Sequence, residues 1–180
     1  LVTGTLERQR AAGQPMRVLV LKTRRGGIST VSAEWVFHHT YWRDRQHALV
    51  LTNHQDTTDA LYNIYQTLYA ELPVDLRAPL ERNNARRIET VSPYGSSIVA
   101  LTAGFQDVGR GPTLHHVHLS EADYYPDAPR VLDGVLNAVH LGSDTTVIIE
   151  STASGADRWL HHFWRETKRG KTGFVPIFSP

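Results

Sequence analysis

The sequence has 180 residues, a length that suits a single domain able to bury a core. Its composition, with 41% hydrophobic and 21% charged residues and a formal net charge of +1, is that of a soluble globular protein. No apolar run approaches the length of a transmembrane helix, no signal peptide is visible, and the absence of cysteine excludes disulfides and thiolate metal sites. Because the net charge is close to zero, any contact with nucleic acid would depend on a local basic patch.

The ends of the chain predict that it is part of a longer protein. The sequence starts at Leu1 without a methionine and stops at Pro180, directly after a strand-like apolar run. We expect residues 1–180 to form one domain of that protein.

In the first half of the chain, short apolar runs alternate with segments whose apolar residues recur at helical intervals. The predicted elements are, in order, a short helix within residues 1–13, a buried strand over 16–21, a helix from 29 to about 43, a second buried strand over 47–52, and a helix that follows the capping residues 53–56 and ends at Pro73. Residues 73–87 are predicted as a polar connection that carries Arg77, Arg82, Arg86 and Arg87.

The second half of the chain continues this alternation. Its predicted elements are a strand pair over 88–91 and 97–102 around a Pro93-Tyr94-Gly95 turn, a glycine-rich stretch over 103–112, a strand over 114–119, a helix over 127–139, a strand over 145–149, a helix over 156–169 and a strand over 174–178. Strands that alternate with amphipathic helices predict an α/β fold, with a mostly parallel sheet and helices on both faces. Ligands of such sheets bind beyond the carboxyl ends of the strands, and three polar segments follow strands in this way.

The first of these segments is the loop after the strand over 16–21. A strand, a glycine-bearing turn, a hydroxyl pair and a helix form the layout of a phosphate-binding loop. Its backbone N–H groups would approach phosphate oxygens, and its cations would neutralise their charge. The candidate phosphate-binding residues are Lys22, Arg24, Arg25, Gly26, Gly27, Ile28, Ser29 and Thr30.

One position of this loop departs from the usual G-x-x-x-x-G-K-[ST] pattern, because Ile28 stands where the lysine belongs. Lys22, at the start of the loop, is the obvious replacement, and Arg24 and Arg25 are further cations. Ser29 is the candidate ligand of Mg²⁺. The alternative is a basic strand-to-helix turn that binds no phosphate.

The second segment is Ser120-Glu121-Ala122-Asp123, after the strand over 114–119. A carboxylate at a strand end can act on an attacking water beside a metal-bound nucleotide, so Glu121 is the candidate catalytic base. The residue before it is usually an aspartate that assists Mg²⁺, whereas Ser120 carries no charge. Ser120 can hydrogen-bond a metal-bound water, and Asp123 is a further candidate for the metal. The alternative is an ordinary capped helix start.

The third segment is Ser151-Thr152, after the strand over 145–149. A hydroxyl here would sense the γ-phosphate and couple its loss to movement, whereas the alternative is a capped turn. In addition, Arg110 lies in the glycine-rich stretch, from which it would reach a neighbouring subunit's phosphates as an arginine finger. The alternative for Arg110 is a solvated surface side chain.

The ten histidines of the chain raise the question of a zinc site. On a strand, His116 and His118 share a face, but the spacing indicates no third ligand. We therefore interpret the histidines as structural or solvated.

Three motifs together resemble the ATPase domain of the large terminase subunit of tailed bacteriophages. Residues 22–30 are similar to the family's deviant Walker A motif, in which the lysine stands at the start of the loop. Residues 116–122 resemble its Walker B motif, where Ser-Glu replaces Asp-Glu in some members, and residues 148–155 resemble its coupling motif. The order and separation of the motifs also match, and the similarity runs from about Met16 to the C-terminus.

The resemblance implies a P-loop NTPase fold of the ASCE type and an ATP-hydrolysing motor with ATP and Mg²⁺ as cofactors. Hydrolysis would power the translocation of double-stranded DNA into the procapsid. The roles that it implies are phosphate contacts for Lys22 and Arg25, a Mg²⁺ contact for Ser29, catalysis by Glu121 and coupling through Thr152. Arg110 lies near the position of a trans-acting finger in some members.

The resemblance also implies partners and a place of action. The partners are double-stranded DNA, the portal protein, the small terminase subunit and further copies of the chain in a homo-oligomeric ring, a pentamer. The place is the cytoplasm of an infected bacterial host, or the bacterial cytoplasm for a prophage-encoded protein, and no membrane is involved.

Two parts of the family are not found in this sequence. A glutamine motif that reads adenine should lie upstream, and Gln9 does not match it convincingly; a nuclease domain should follow residues 174–180, so DNA cleavage is not assigned to this chain. Two other functions stay open: another P-loop nucleic-acid motor such as a helicase, and a nucleotide-binding assembly module without turnover. A helicase would carry the usual Gly-Lys-Ser/Thr and a second motor domain, whereas the absent lysine and aspartate would fit the module.

Overall fold

The computed structural model describes residues 1–91, 94–104 and 113–180. The helices are α1 (Val2–Ala11), α2 (Ile28–Tyr41), α3 (Gln55–Ala70), α4 (Ala128–Ala138) and α5 (Trp159–Lys168), with short 3₁₀ turns at Val74–Leu76 and Ala122–Tyr124. The strands are β1 (Met16–Lys22), β2 (His47–Thr52), β3 (Leu80–Asn84), β4 (Arg87–Thr90), β5 (Ser97–Thr102), β6 (His116–Ser120), β7 (Thr146–Ser151) and β8 (Val175–Ser179). None of the helices in these ranges combines the length and apolar character needed to cross a bilayer.

The strands form one sheet in the order β3-β4-β5-β2-β6-β7-β1-β8. All neighbours from β5 to β8 run parallel, whereas β4 is antiparallel to both β3 and β5. The prediction of a mostly parallel sheet is therefore confirmed. Because β1, β7 and β6 are consecutive in the sheet, the three polar segments that follow them lie beside one another at the same edge.

Helices cover both faces of the sheet. Successive side chains of β1 alternate between two hydrophobic cores: Val18 and Val20 belong to the core that contains residues of α1, α2 and α3, and Leu19 to the core that contains residues of α4 and α5. Burial on both faces explains why β1 reads as a near-continuous apolar run in the sequence.

The predicted elements are confirmed apart from shifts at their ends and one missed strand. The predicted polar connection over 73–87 contains β3, which pairs antiparallel with β4 at the edge of the sheet. Its side chains are mostly exposed, so no apolar alternation marks it in the sequence. The predicted strand pair over 88–91 and 97–102 corresponds to β4 and β5, while Pro93 of the turn between them lies outside the described residues.

Candidate active site

The loop between β1 and α2 has the backbone geometry that phosphate binding requires. Gly27 immediately precedes α2 and adopts a left-handed φ of 71°, which a side chain would disfavour. Arg25 adopts a similar φ of 62°, a strained conformation of the kind found at ligand-binding turns. The hydrogen bond from Val31 N to Gly27 O opens the helix, so the preceding N–H groups have no partner within it. Unpaired N–H groups and the helix dipole favour negative charge at the start of α2.

Two of the sequence-predicted residues of this loop meet directly. The Lys22 side chain is largely buried, and its Nζ donates a 2.9 Å hydrogen bond to Ser29 Oγ. By contrast, Arg24, Arg25, Gly26, Gly27 and Thr30 are exposed, and Ile28 is buried in the core. The loop therefore presents an inner lysine and an outer pair of arginines, while Ile28 anchors the helix instead of contacting a ligand.

The Lys22 ammonium also joins the loop to two neighbouring strand ends. Its Nζ lies 3.2 Å from Glu121 Oε1 and 3.3 Å from Glu150 Oε2. Glu121 follows β6 and Glu150 lies near the end of β7, so one cation bridges the carboxyl ends of three adjacent strands. The structure thus brings the displaced lysine and the candidate catalytic base into direct contact.

Thr152 contacts the same carboxylate from the third segment. Its Oγ1 donates to Glu121 Oε2 at 3.4 Å and lies 3.3 Å from the hydroxyl of Tyr124. Glu121 itself has a left-handed φ of 54°, a second strained position at this edge of the sheet. Lys22, Glu121 and Thr152, which come from three separate segments of the sequence, are therefore linked by direct contacts.

Glu150 is a site residue that the sequence did not single out. It is fully buried, and its Oε1 lies 3.0 Å from His118 Nε2, while His118 Nδ1 lies 3.2 Å from the hydroxyl of the buried Tyr65. Burial by itself would raise the pKa of Glu150, but the hydrogen bond and charge of His118, together with Lys22, lower this pKa to about 2. Glu150 is therefore a buried carboxylate that stays ionised at neutral pH.

The same contact accounts for one of the histidines. His118 Nε2 lies 3.0 Å from Glu150 Oε1, and His116 Nδ1 lies 3.2 Å from Thr146 Oγ1. Each histidine therefore contacts a polar side chain of β7. The described residues contain no group of three or more His, Cys, Asp or Glu side chains that would hold a metal ion by themselves. The contacts with β7 give His116 and His118 a structural role within the sheet.

The resemblance implies a bound Mg²⁺, and the oxygen atoms around Lys22 show whether these residues are suitable ligands for it. Ser29, Ser120, Glu121 and Glu150 supply hydroxyl and carboxylate oxygens, the ligand type that Mg²⁺ prefers. Among the described residues no hydrogen bond reaches the buried Glu150 Oε2, and the charged neighbour of this atom is Lys22 Nζ at 3.3 Å. A carboxylate oxygen with spare capacity beside a serine hydroxyl fits a Mg²⁺ that takes its other ligands from water and phosphate.

Two residues that were considered for the site serve the fold instead. Asp123 Oδ1 accepts a 3.3 Å hydrogen bond from Leu160 N, and its Oδ2 accepts one from Ser154, so this carboxylate fixes the start of α5. Gln9 bonds both backbone groups of Arg17, through its Nε2 to Arg17 O and from Arg17 N to its Oε1, at 3.1 and 3.0 Å. Arg17 lies at the opposite end of β1 from the loop, so Gln9 is held at the edge of the sheet away from Lys22.

The proposed arginine finger cannot be placed in this geometry, because Arg110 lies outside the described residues. The residues that sequence reasoning missed are Glu150, His118, Tyr65 and Tyr124. Glu150 was visible in the motif over 148–155, but the strand was predicted to end at 149, whereas β7 continues to Ser151 and buries Glu150 inside the sheet. The sequence signal for Glu150 as a candidate site residue is an acidic side chain directly after an apolar run.

Comparison with solved structures places this geometry among known proteins. The chain superimposes on the large terminase of bacteriophage HK97 with a TM-score of 0.73 and 13% identity, over 95% of this chain and 36% of that one. For the large terminase of a thermophilic bacteriophage in complex with ADP, the TM-score is 0.67 at 11% identity, over 98% of this chain and 44% of that one. This chain therefore spans less than half the length of either protein.

A third similar structure consists of an ATPase domain alone. The large terminase ATPase domain of Thermus phage P74-26 gives a TM-score of 0.66 at 17% identity, over 97% of this chain and 79% of that one. No family model matches the sequence, and no curated protein sequence matches it either.

The strand order agrees with this likeness. In the ASCE type of P-loop NTPase an additional strand separates the strand of the phosphate loop from the strand of the catalytic glutamate, and β7 separates β1 from β6 in this way. The chain therefore has the P-loop NTPase fold of the ATPase domains of bacteriophage large terminases.

Proposed function

We propose that this chain is the ATP-hydrolysing motor domain of a phage terminase large subunit, which powers the translocation of double-stranded DNA into the procapsid. The observation that carries the proposal is the Lys22 ammonium, which joins Ser29 and Glu121 across the ends of β1 and β6. A phosphate-binding loop and an acid at a nearby strand end of the same sheet are the parts that nucleotide hydrolysis needs.

ATP binding would rest on the loop. Lys22, Arg24 and Arg25 would neutralise the phosphates, while the backbone from Gly26 to Thr30 would donate its N–H groups to their oxygens. Ser29 and Ser120 would hold Mg²⁺. When it is bound, this ion neutralises negative charge on the phosphate oxygens. The large terminase of the thermophilic bacteriophage binds ADP with the same fold, which supports a nucleotide in this position.

Hydrolysis would rest on Glu121. Its carboxylate contacts Lys22 and Thr152. Once phosphates attract the Lys22 ammonium, Glu121 can accept the proton of an attacking water. Thr152 would then report the change at Glu121 to the loop after β7, which is the proposed coupling step.

Two steps of the proposal reach beyond the single chain. Arg110 would enter the site of a neighbouring subunit and stabilise the charge of the transition state in trans. The ring would be a pentamer that works with the portal protein and the small terminase subunit in the cytoplasm of an infected or prophage-bearing bacterium.

The arginines of residues 77–87 give little support to that segment as the DNA contact. Arg77 bonds the carbonyl of Leu72 near the end of α3, and both Arg82 and Arg87 lie within 3.6 Å of Glu89. These arginines are already used within the fold. We propose DNA as a partner without assigning it to this segment.

The proposed function is tested by nucleotide binding and hydrolysis of two variants. Glu121→Ala should bind ATP yet turn it over about 10²-fold more slowly, because a positioned base is lost. Lys22→Ala should bind ATP roughly 10-fold to 100-fold more weakly, because a charge-assisted hydrogen bond is lost. Hydrolysis is measured on the assembled ring, since a trans arginine needs a neighbour.

Glu71→Ala is the matched control for this test, because Glu71 is exposed at the far end of α3 and should leave both quantities unchanged. Wild-type hydrolysis by both site variants would refute the catalytic assignment. Binding without hydrolysis by the wild-type ring would favour the nucleotide-binding assembly module instead.

A further inference from the structure

Position 120 lacks the acid that P-loop NTPases place before the catalytic glutamate. That aspartate helps to hold Mg²⁺ together with the hydroxyl of the phosphate loop. Ser120 carries no charge. Of the acids in or directly after β6, Glu121 would then be the nearest one to a divalent cation. The structure contains a second carboxylate at this point, contributed by a different strand.

That carboxylate is Glu150, and its register relates it directly to Ser120. The two residues are paired between the parallel strands β6 and β7, so their side chains leave the same face of the sheet from strands ~4.8 Å apart. On its other side, Glu150 is paired with Val20 of β1, two residues before Lys22. A carboxylate here lies between the loop strand and the strand of Glu121.

The Lys22 ammonium marks a cation site bounded by three oxygens. Ser29 Oγ, Glu121 Oε1 and Glu150 Oε2 lie 2.9, 3.2 and 3.3 Å from Nζ. Two carboxylates therefore share the one ammonium group of Lys22. Phosphates would draw the lysine outward and leave these oxygens to another cation.

Glu150 is also held in place from behind. His118 Nε2 lies 3.0 Å from Glu150 Oε1, and the Tyr65 hydroxyl contacts the other ring nitrogen of His118. The second carboxylate oxygen, Oε2, has no hydrogen bond from the described residues. The charged neighbour of Oε2 is Lys22 Nζ, at 3.3 Å. A buried carboxylate is costly unless it is paired, so a Glu150 that loses Lys22 to phosphates needs another cation at this oxygen.

We propose that Glu150 supplies, from β7, the acidic charge at the Mg²⁺ site that Ser120 cannot supply from β6. The proposal rests on the proposed function, because it takes Ser29 and Glu121 as neighbours of the metal. Glu150 is a positioning residue: it acts on the metal through its shell of water and hydroxyl ligands and does not touch the reacting phosphate.

The test measures metal binding rather than hydrolysis. Mn²⁺ replaces Mg²⁺ as a paramagnetic probe, and its affinity for the chain saturated with ADP is measured by electron paramagnetic resonance of free Mn²⁺. Glu150→Gln keeps the shape of the side chain and an acceptor for His118 but removes the charge. We expect its Mn²⁺ affinity to fall roughly 10-fold to 100-fold, the range seen when a partner of a metal ligand is removed.

Metal-free ADP binding separates this role from a structural one. Glu150→Gln should bind ADP without metal as tightly as the wild type or more tightly, because a negative charge near the phosphates has gone. A structural defect would weaken ADP binding with and without metal alike. Glu71→Gln is the matched control and should change neither affinity.

The most stringent test moves the negative charge from position 150 to position 120. In the double variant Ser120→Asp/Glu150→Gln a carboxylate returns on the paired residue of β6, and Mn²⁺ affinity should recover to within a few-fold of the wild type. If Glu150→Gln fails to fold, Glu150→Asp takes its place, with a shorter carboxylate and an expected affinity several-fold below that of the wild type.

Each outcome decides the proposal. Mn²⁺ affinity of Glu150→Gln within twofold of the wild type, or a double variant as weak as Glu150→Gln, would overturn it while the proposed function stands. A wild-type chain that binds no ADP with or without metal would overturn the proposed function and this inference together.

Discussion

At the scale of single residues, burial decides the chemistry of this chain. Glu150 and His116 are both fully buried in neighbouring strands, yet their environments act in opposite directions. Glu150 has cationic and hydrogen-bonding partners that keep it ionised, as described above. His116 lies beside the Thr146 hydroxyl at its Nδ1, whereas its Nε2 has no hydrogen bond among the described residues. Desolvation therefore dominates, and His116 is neutral in the folded protein.

The pH dependence of stability follows from His116. Burial, with smaller effects of His39, His115 and Arg43, lowers the pKa of His116 to about 3. The unfolded chain then binds one more proton than the folded chain between this value and the ordinary value of 6.5. The resulting stability is present above pH 6.5 and is lost as the pH falls. We expect His116 to lower the free energy of unfolding by about 2 kcal/mol between pH 6.5 and pH 5.

Urea unfolding of His116→Phe at several pH values checks this expectation. The aromatic ring cannot titrate, so the decline between pH 6.5 and pH 5 should be shallower by that amount. Exposed His162, replaced by Gln, is the control and should leave the wild-type slope. An equal slope for His116→Phe and the wild type would show that His116 does not titrate as inferred.

At the scale of elements, α1 is fastened to the sheet rather than to the site. Its buried residues include Leu6 and Gln9, and the Gln9 amide bonds the backbone of Arg17 at the start of β1. Arg17 is separated from Lys22 by five residues of extended chain, roughly 16 Å. This distance separates the structural role of Gln9 from a role in reading the adenine base.

Gln9→Leu tests that separation. The substitution leaves the N–H and C=O of Arg17 buried without partners, so the free energy of unfolding should fall by about 1–3 kcal/mol. ADP affinity, measured by calorimetry below the unfolding transition, should stay at the wild-type value. Gln14→Leu, at an exposed position, is the control for stability. A loss of ADP affinity in folded Gln9→Leu would restore Gln9 as a nucleotide contact.

At the scale of the whole molecule, the proposed motor depends on contacts between copies of the chain. Within one chain the Glu121 carboxylate contacts Lys22 and Thr152. Under the proposed function, the arginine that completes the site comes from the neighbouring subunit. Activity should then be a property of subunit pairs.

Mixing two inactive variants tests this dependence. Arg110→Ala and Glu121→Ala rings should each be inactive, but in equal mixtures a random ring pairs an intact Glu121 with an intact neighbouring arginine at about a quarter of its interfaces. We therefore expect ATPase activity near a quarter of the wild-type rate. A mixture as inactive as its components would place Arg110 in its own subunit's site or outside catalysis, and full activity of the Arg110→Ala ring would exclude the finger altogether.

Local patterns in the sequence predict the sheet, the helices on its two faces and the meeting of three polar side chains at one edge of the sheet. The apolar run of β1 is a local signal, because a strand buried on both faces is apolar at nearly every position. The spacing within α3 is also local, because a helix buried on one face repeats its apolar residues with the helical period. Lys22, Glu121 and Thr152 could be predicted because parallel strands carry their following segments to one edge of the sheet.

Only the tertiary structure decided the rest. The edge strand β3 has no apolar face to mark it, and the burial of Glu150 depends on β6 and β1, which lie on either side of β7 but far away in sequence. The contact between Lys22 and Glu150 spans 128 positions, and no local pattern encodes it. A side chain's charge state and partners are set by what packs around it in three dimensions, which is why a residue that reads as part of a polar turn became the buried acid at the centre of this site.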